Sequence, residues 1–174
     1  IQRILSQVSQ SEAEMFNESY IENLYMQYMD IEYDDKSDII QLTDALTKYD
    51  KIVVLAPGQS LSKAEEEILQ IRLMHNSCVI SVNFIPKFIE PDYVFLTNSK
   101  RLDAIKSKSN KTKLIITSNL IRDINFHDYS ISYNSLVYTI DRFCDDSSVM
   151  LIKLLSVLGV KKISIAGFDG RSNG

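Results

Sequence analysis

Glycines and small polar residues gather at the points where this chain's short apolar runs end. The most informative point is Ala56-Pro57-Gly58-Gln59-Ser60-Leu61, directly after Ile52–Leu55. A glycine in such a turn lets the backbone pass close to a ligand. A serine beside a helix start, with the helix's unpaired N–H groups, can hold a phosphate. The same residues also make an ordinary strand-to-helix turn with a serine cap. No Gly-Lys-Ser/Thr follows, and the second and third glycines of a G-x-G-x-x-G pattern are missing, so neither a P-loop nor a dinucleotide fingerprint is present. The next apolar run ends in Asn83, where a NAD-binding fold places an acidic residue for the ribose. NAD is therefore disfavoured. A mononucleotide or nucleotide-sugar stays open, with Asn83 as a candidate ribose or base contact.

Three further points carry candidate chemistry. Gly167-Phe168-Asp169-Gly170 follows Ile163–Ala166; Asp169 can accept hydrogen bonds from a sugar, hold a metal, or simply make an Asp-Gly turn. Asn98 follows Tyr93–Thr97 and is a binding candidate, while Lys100 and Arg101 beside it either neutralise a phosphate or form a solvated helix start. Ser118-Asn119 ends a fourth run. His75 and His127 have no partner at metal-ligand spacing and read as surface residues, although His127 could serve as a base if its loop covers a crevice. Asp141, Asp145 and Asp146 precede a helix opening at Ser147, where acidic residues suit the positive end of the dipole. Cys78 reads as strand core, and Cys144 has no nucleophile context. No metal site is expected within the chain.

The elements that must position these groups follow from hydrophobic pattern. Strands are expected at Ile52–Ala56, Cys78–Val82, Tyr93–Thr97, Leu114–Thr117, Leu136–Ile140 and Ile163–Ala166. Helices are expected at Ser37–Tyr49, Ser62–Met74, Ser99–Lys106 and Ser147–Leu158. Ser62-Lys63-Ala64-Glu65 has a capping-box pattern, and Gly159 stands where a left-handed C-terminal residue belongs. The apolar runs are continuous rather than alternating, as in parallel strands buried on both faces. Strands alternating with helices imply a Rossmann-like, doubly wound α/β fold with a mainly parallel sheet. In such a sheet ligands bind outside the carboxyl ends of the strands, which is where the polar turns fall. The period is unclear from Ile121 to Ser135, which leaves strand order there open.

Composition narrows the class. The 174 residues fit one domain. With 45% hydrophobic and 24% charged residues the chain is ordinary for a globular protein. Lys+Arg 19 against Asp+Glu 23 gives a net charge of −4, which argues against a nucleic-acid partner. No apolar run reaches membrane-spanning length, the longest being broken by Lys153, Ser156 and Gly159. Two cysteines make no disulfide framework, which fits the cytoplasm. Residues 1–36 stand apart: Phe16, Tyr20, Leu24 and Tyr28 space an N-terminal linker helix, followed by the acidic Asp30, Glu32, Asp34 and Asp35. Residues 37–174 form the α/β domain. A start at Ile1 and a stop just after a strand suggest a piece of a longer polypeptide.

Lys51–Gly170 resembles the Rossmann-like domains of pterin pyrophosphokinase-like proteins and bacterial sialyltransferases, which carry Gly-Asn-Gly-Pro-Ser-Leu after the first strand. Here the element reads Ala56-Pro57-Gly58-Gln59-Ser60-Leu61. The resemblance implies that Gly58 and Ser60 lie against a nucleotide phosphate. Neither histidine matches a catalytic histidine of the sialyltransferases. A closer likeness is to the C-terminal extension of aldolases of the hydroxymethylglutaryl-CoA lyase-like group, found among bacterial surface-polysaccharide enzymes. It is carried by Glu18–Tyr25, Val53–Leu61, Ile80–Phe84 and Asp92–Asn98. That resemblance implies a metal-dependent aldolase barrel upstream in the same polypeptide, which would hold any divalent metal. The expectation is thus an accessory domain binding a nucleotide or nucleotide-sugar at Gly58, Ser60, Asn83, Asn98 and Asp169. The alternatives are a glycosyl- or nucleotidyl-transferase, and a non-catalytic assembly domain that forms homo-oligomers through its Tyr-rich helix.

Overall fold

A strand covered on both faces has no water to hydrogen-bond, so its backbone groups must pair within a ladder. The continuous β-branched runs do this in the computed structural model, which describes residues 33–105, 109–124, 126–137 and 146–169. The helix read over Ser11–Asp30, with Asp141, Cys144, Asp145 and Gly170, lies outside these residues. Tyr33–Gly174 forms one compact unit, distinct from Ile1–Glu32. Its elements are α1 (Lys36–Leu46), β1 (Lys51–Leu55), α2 (Leu61–Met74), β2 (Ser77–Val82) and β3 (Tyr93–Leu96). A 3₁₀ turn (Ser99–Arg101) then leads into α3 (Leu102–Ile105), followed by β4 (Lys113–Thr117), a second 3₁₀ turn (Ser118–Leu120) and β5 (Tyr129–Ile131). The last elements are α4 (Tyr133–Leu136), α5 (Ser147–Val157) and β6 (Ile163–Ala166).

All six strands among the described residues are parallel, in the order β5-β4-β3-β2-β1-β6. The chain winds outward from β1 to β5, then returns to lay β6 on the other flank of β1. Keeping each crossover right-handed requires the outward and return connections to use opposite faces. Accordingly α2 and α3 cover the face bearing Val53, Val79, Val94 and Ile116. The other face, bearing Ile52, Ile80, Phe95 and Ile115, packs against α1 and α5 through Leu42, Leu46, Met150 and Leu154. The fold is Rossmann-like and doubly wound. Among the described residues no helix is long and apolar enough to cross a membrane.

The fifth strand departs from expectation. A strand is expected at Leu136–Ile140, of which 138–140 lie outside the described residues; Leu136 instead ends a helical turn, Tyr133–Leu136, that Val137 caps, and β5 is the three-residue Tyr129–Ile131. Leu136 and Val137 are buried in the same core as Tyr129 and Ile131, and an apolar pair signals burial equally well from a turn or a strand. As an edge, β5 presents outward N–H groups that could recruit another strand. Here Ser130 N–H donates to Asp38 at 2.7 Å and Ser132 N–H to Asp35 at 2.8 Å. Asp35, the residue before α1, and Asp38 in its first turn therefore close one edge of the sheet.

Helix ends account for other sequence signals. Asp146 caps α5 by accepting from the N–H groups of Ser148 and Val149 at 2.9 and 3.1 Å. At the other end Gly159 takes φ +75°, with Gly159 N–H on Ser156 O and Val160 N–H on Leu155 O, a Schellman closure. The capping box expected at Ser62–Glu65 does not form. The helix starts one residue earlier at Leu61, Ser60 takes the cap position without a side-chain cap bond, and Ser62 Oγ–H donates to Gln59 O.

Candidate functional site

The topological switch point of this sheet lies between β1 and β6, whose following loops must meet at the carboxyl edge. They do so through two glycines. Gly58 N–H donates to Gly167 O at 2.9 Å, while Ala56 N–H donates to Ala166 O at 2.9 Å. A Cβ on Gly58 would overlap Gly167 O and Asp169, and one on Gly167, at φ +74°, would overlap Ala56 O. The glycine read as making room for a ligand therefore makes room for the neighbouring loop.

That approach brings Ser60 and Asp169 together, 109 residues apart in sequence. Ser60 N–H donates to Asp169 Oδ2 at 2.9 Å, and the Ser60 hydroxyl donates to Oδ1. The first N–H groups of a helix lack intrahelical partners and attract anions. The carboxylate of Asp169 supplies that anion to α2 from the far side of the switch point. The Ser60 hydroxyl first, and its N–H second, hold the Asp169 carboxyl below its usual range although it is fully exposed. Because the folded-state value is depressed, this contribution to stability is present above the ordinary 3.8 and is lost as pH falls below it toward the folded value. A carboxyl ¹³C titration should place Asp169 below 3.8, and Ser60→Ala should move it back up. A wild-type midpoint at or above 3.8 would remove the bond from the account.

Beside this bond opens a groove of about 390 Å³ between the first turns of α2 and the outer edge of β6. Ser60, Lys63 and Glu67 line one wall; Ile165, Phe168 and Asp169 line the other. Phe168 and Ile165 are exposed there although both are apolar.

The remaining candidates lie elsewhere along the carboxyl edge. Asn83, at φ +64°, spends its amide internally: Oδ1 accepts from Thr97 N–H at 3.1 Å, and Nδ2 donates to Ser147 Oγ at 2.8 Å. Thr97 Oγ1 and Ser147 Oγ lie 2.5 Å apart, so the ends of β2 and β3 are tied to the start of α5. Asn119 Nδ2 donates to Thr97 O at 3.3 Å, and its buried Oδ1 has no partner among the described residues. Asn98 turns back to accept from Lys100 N–H at 2.9 Å, which caps the 3₁₀ turn, and Lys100 and Arg101 are exposed. With neighbouring strands about 4.8 Å apart, the end of β3 stands roughly 15 Å from that of β6. The structure thus joins Gly58, Ser60 and Asp169, keeps Asn98 at the distant end of β3, and commits the Asn83 side chain to Thr97 and Ser147. His127 and Asp128 immediately precede β5, so they lie at the amino ends of the strands, away from any carboxyl-end crevice. Asp128 accepts from Leu114 N–H there at 2.8 Å. His75, which caps α2 just before β2, lies at that end too.

Asn83 tests the tie directly. Asn83→Ala should cost about 2 kcal/mol, because a buried N–H loses its acceptor while the positive φ is retained. Asn83→Gly should recover about 1 kcal/mol of this, since glycine carries no penalty there. Equal chemical denaturation midpoints for the two variants would contradict that assignment.

Comparison with protein families, curated proteins and solved structures finds no match for this chain. Among the described residues no three His, Cys, Asp or Glu side chains gather as a metal site. Cys78 is a buried thiol pushed strongly upward in pKa, first by desolvation and then by Asp92, which leaves it inert as a nucleophile. Three contributors were not singled out in the sequence: Lys63, hidden within the supposed capping box, Phe168, and Ser147, whose position depends on the packing of α5.

Proposed function

We propose that this chain is a nucleotide- or nucleotide-sugar-binding domain whose site is the β1–β6 switch point. The observation that carries the reading is the meeting of Ser60 and Asp169 over a groove of about 390 Å³, at the place where open α/β sheets take ligands. The groove has the volume of a small-molecule site, a cation, carboxylates and an exposed aromatic ring. Such a domain binds without turning its ligand over. In the polypeptide that the aldolase resemblance implies, it is an accessory to an upstream carbon–carbon lyase barrel, and any divalent metal belongs to that barrel. The cytoplasm is the proposed setting, where the free Cys78 thiol stays reduced.

A thermal-shift panel of nucleosides, nucleoside mono- and diphosphates and nucleotide-sugars, with and without magnesium, tests this. A ligand at 100 times its dissociation constant adds about 2.7 kcal/mol, enough to raise the midpoint by several degrees. A rise for one base series is expected. A flat response across the panel would refute nucleotide binding and favour the assembly reading.

A further inference from the structure

The ligand class at the switch point can be narrowed, on the reading that a nucleotide binds there. A phosphate would ordinarily take the N–H groups at the start of α2 and the hydroxyl of Ser60. Both Ser60 donors are already engaged by Asp169, and a phosphate placed on them would meet an ionised carboxylate. One turn beyond Lys63, Glu67 adds a second carboxylate to the groove. One lysine against two carboxylates is a poor cradle for a polyphosphate chain. The opposite wall is apolar: Phe168 is 40% exposed and Ile165 46%, both facing the same groove.

We propose that the groove recognises its ligand by the nucleoside, with Phe168 stacking on the base and Asp169 accepting hydrogen bonds from ribose or sugar hydroxyls. Each oxygen of Asp169 retains acceptor capacity beyond its bond to Ser60. Lys63, in the first turn of α2, alone takes the phosphate. The ligand is a nucleoside monophosphate, free or joined to a sugar through that single phosphate, and a triphosphate or pyrophosphate group is disfavoured. Lys63, Phe168 and Asp169 then have separable roles in binding.

Isothermal titration of the full chain with a nucleoside, its monophosphate, its triphosphate and inorganic pyrophosphate separates these roles. The nucleoside and monophosphate should bind and pyrophosphate should not. Phe168→Ala should weaken nucleoside and monophosphate alike by about tenfold, the scale of one lost base–aromatic stack. Asp169→Asn should also weaken both by about tenfold, the scale of a hydrogen bond to a charged group. Lys63→Ala should weaken the monophosphate by about tenfold and leave the nucleoside unchanged, as the loss of one charge-assisted contact requires. Lys63 and Phe168 are exposed and take no part in the Ser60–Asp169 bond, so these two variants report on binding even if Asp169→Asn folds poorly. Tight pyrophosphate binding, or monophosphate binding indifferent to Lys63 and Phe168, would overturn this assignment while leaving nucleotide binding in place. Absence of binding by every nucleoside and nucleotide would overturn both.

Discussion

Gly167→Ala should destabilise the protein by about 2–5 kcal/mol, combining the left-handed backbone cost of about 1–2 with an overpacking cost of about 1–3. Gly167 sits at φ +74°, and its missing side chain is the space occupied by Ala56 O and approached by Leu61 Cβ at 3.2 Å. Gly159 supplies an internal control. It has nearly the same φ, +75°, with nothing within 4 Å of a built Cβ. Gly159→Ala should therefore cost only the backbone share, about 1–2 kcal/mol. The difference between the two variants in urea denaturation measures how tightly the β1 and β6 loops are pressed together. Equal losses would mean that the switch-point loops are not closely apposed.

Asp92→Ala should cost about 2–4 kcal/mol, the second large effect. Its carboxylate accepts two bonds from the Arg72 guanidinium at 2.7 Å each, and Oδ2 also accepts from Val79 N–H at 2.8 Å. Arg72 further donates to Ser77 O, so one ion pair ties α2, β2 and the start of β3 at the amino edge of the sheet. The side chains are 36% and 24% exposed, which screens the Coulomb share and leaves the orphaned Val79 N–H as much of the loss. Asp92→Asn, which keeps an acceptor for that N–H, should lose less than Asp92→Ala. In a double-mutant cycle with Arg72→Ala, coupling of about 1 kcal/mol or more is expected. Additive losses would show that the pair contributes nothing beyond its separate contacts.

Five of the six strands were legible because Ile52–Leu55, Cys78–Val82, Tyr93–Leu96, Leu114–Thr117 and Ile163–Ala166 are continuous apolar or β-branched runs. The other strand was not. β5 is three residues long with Ser130 at its centre, and its edge is held by Asp35 and Asp38, more than 90 residues away in sequence. A local window carries no trace of such a contact. The same distinction runs through the site. Gly58, Ser60 and Asp169 were legible as residues that follow strands, since those turns gather at one edge of any parallel sheet. Their pairing was not, because it depends on β6 lying next to β1 rather than beyond β5. Asn83 and Asn98 have the side chains of ligand contacts, and nothing in their spacing shows that Thr97, Ser147 and Lys100 already engage them.

On the proposed function, ligand binds where the loops that follow β1 and β6 meet. Amide chemical-shift mapping by NMR, with the nucleotide that gives the largest thermal shift, tests it most directly. Perturbations should concentrate on Ser60, Lys63, Gly167, Phe168 and Asp169. Perturbations confined to Asn83, Asn98 and Asn119, or scattered without focus, would contradict it.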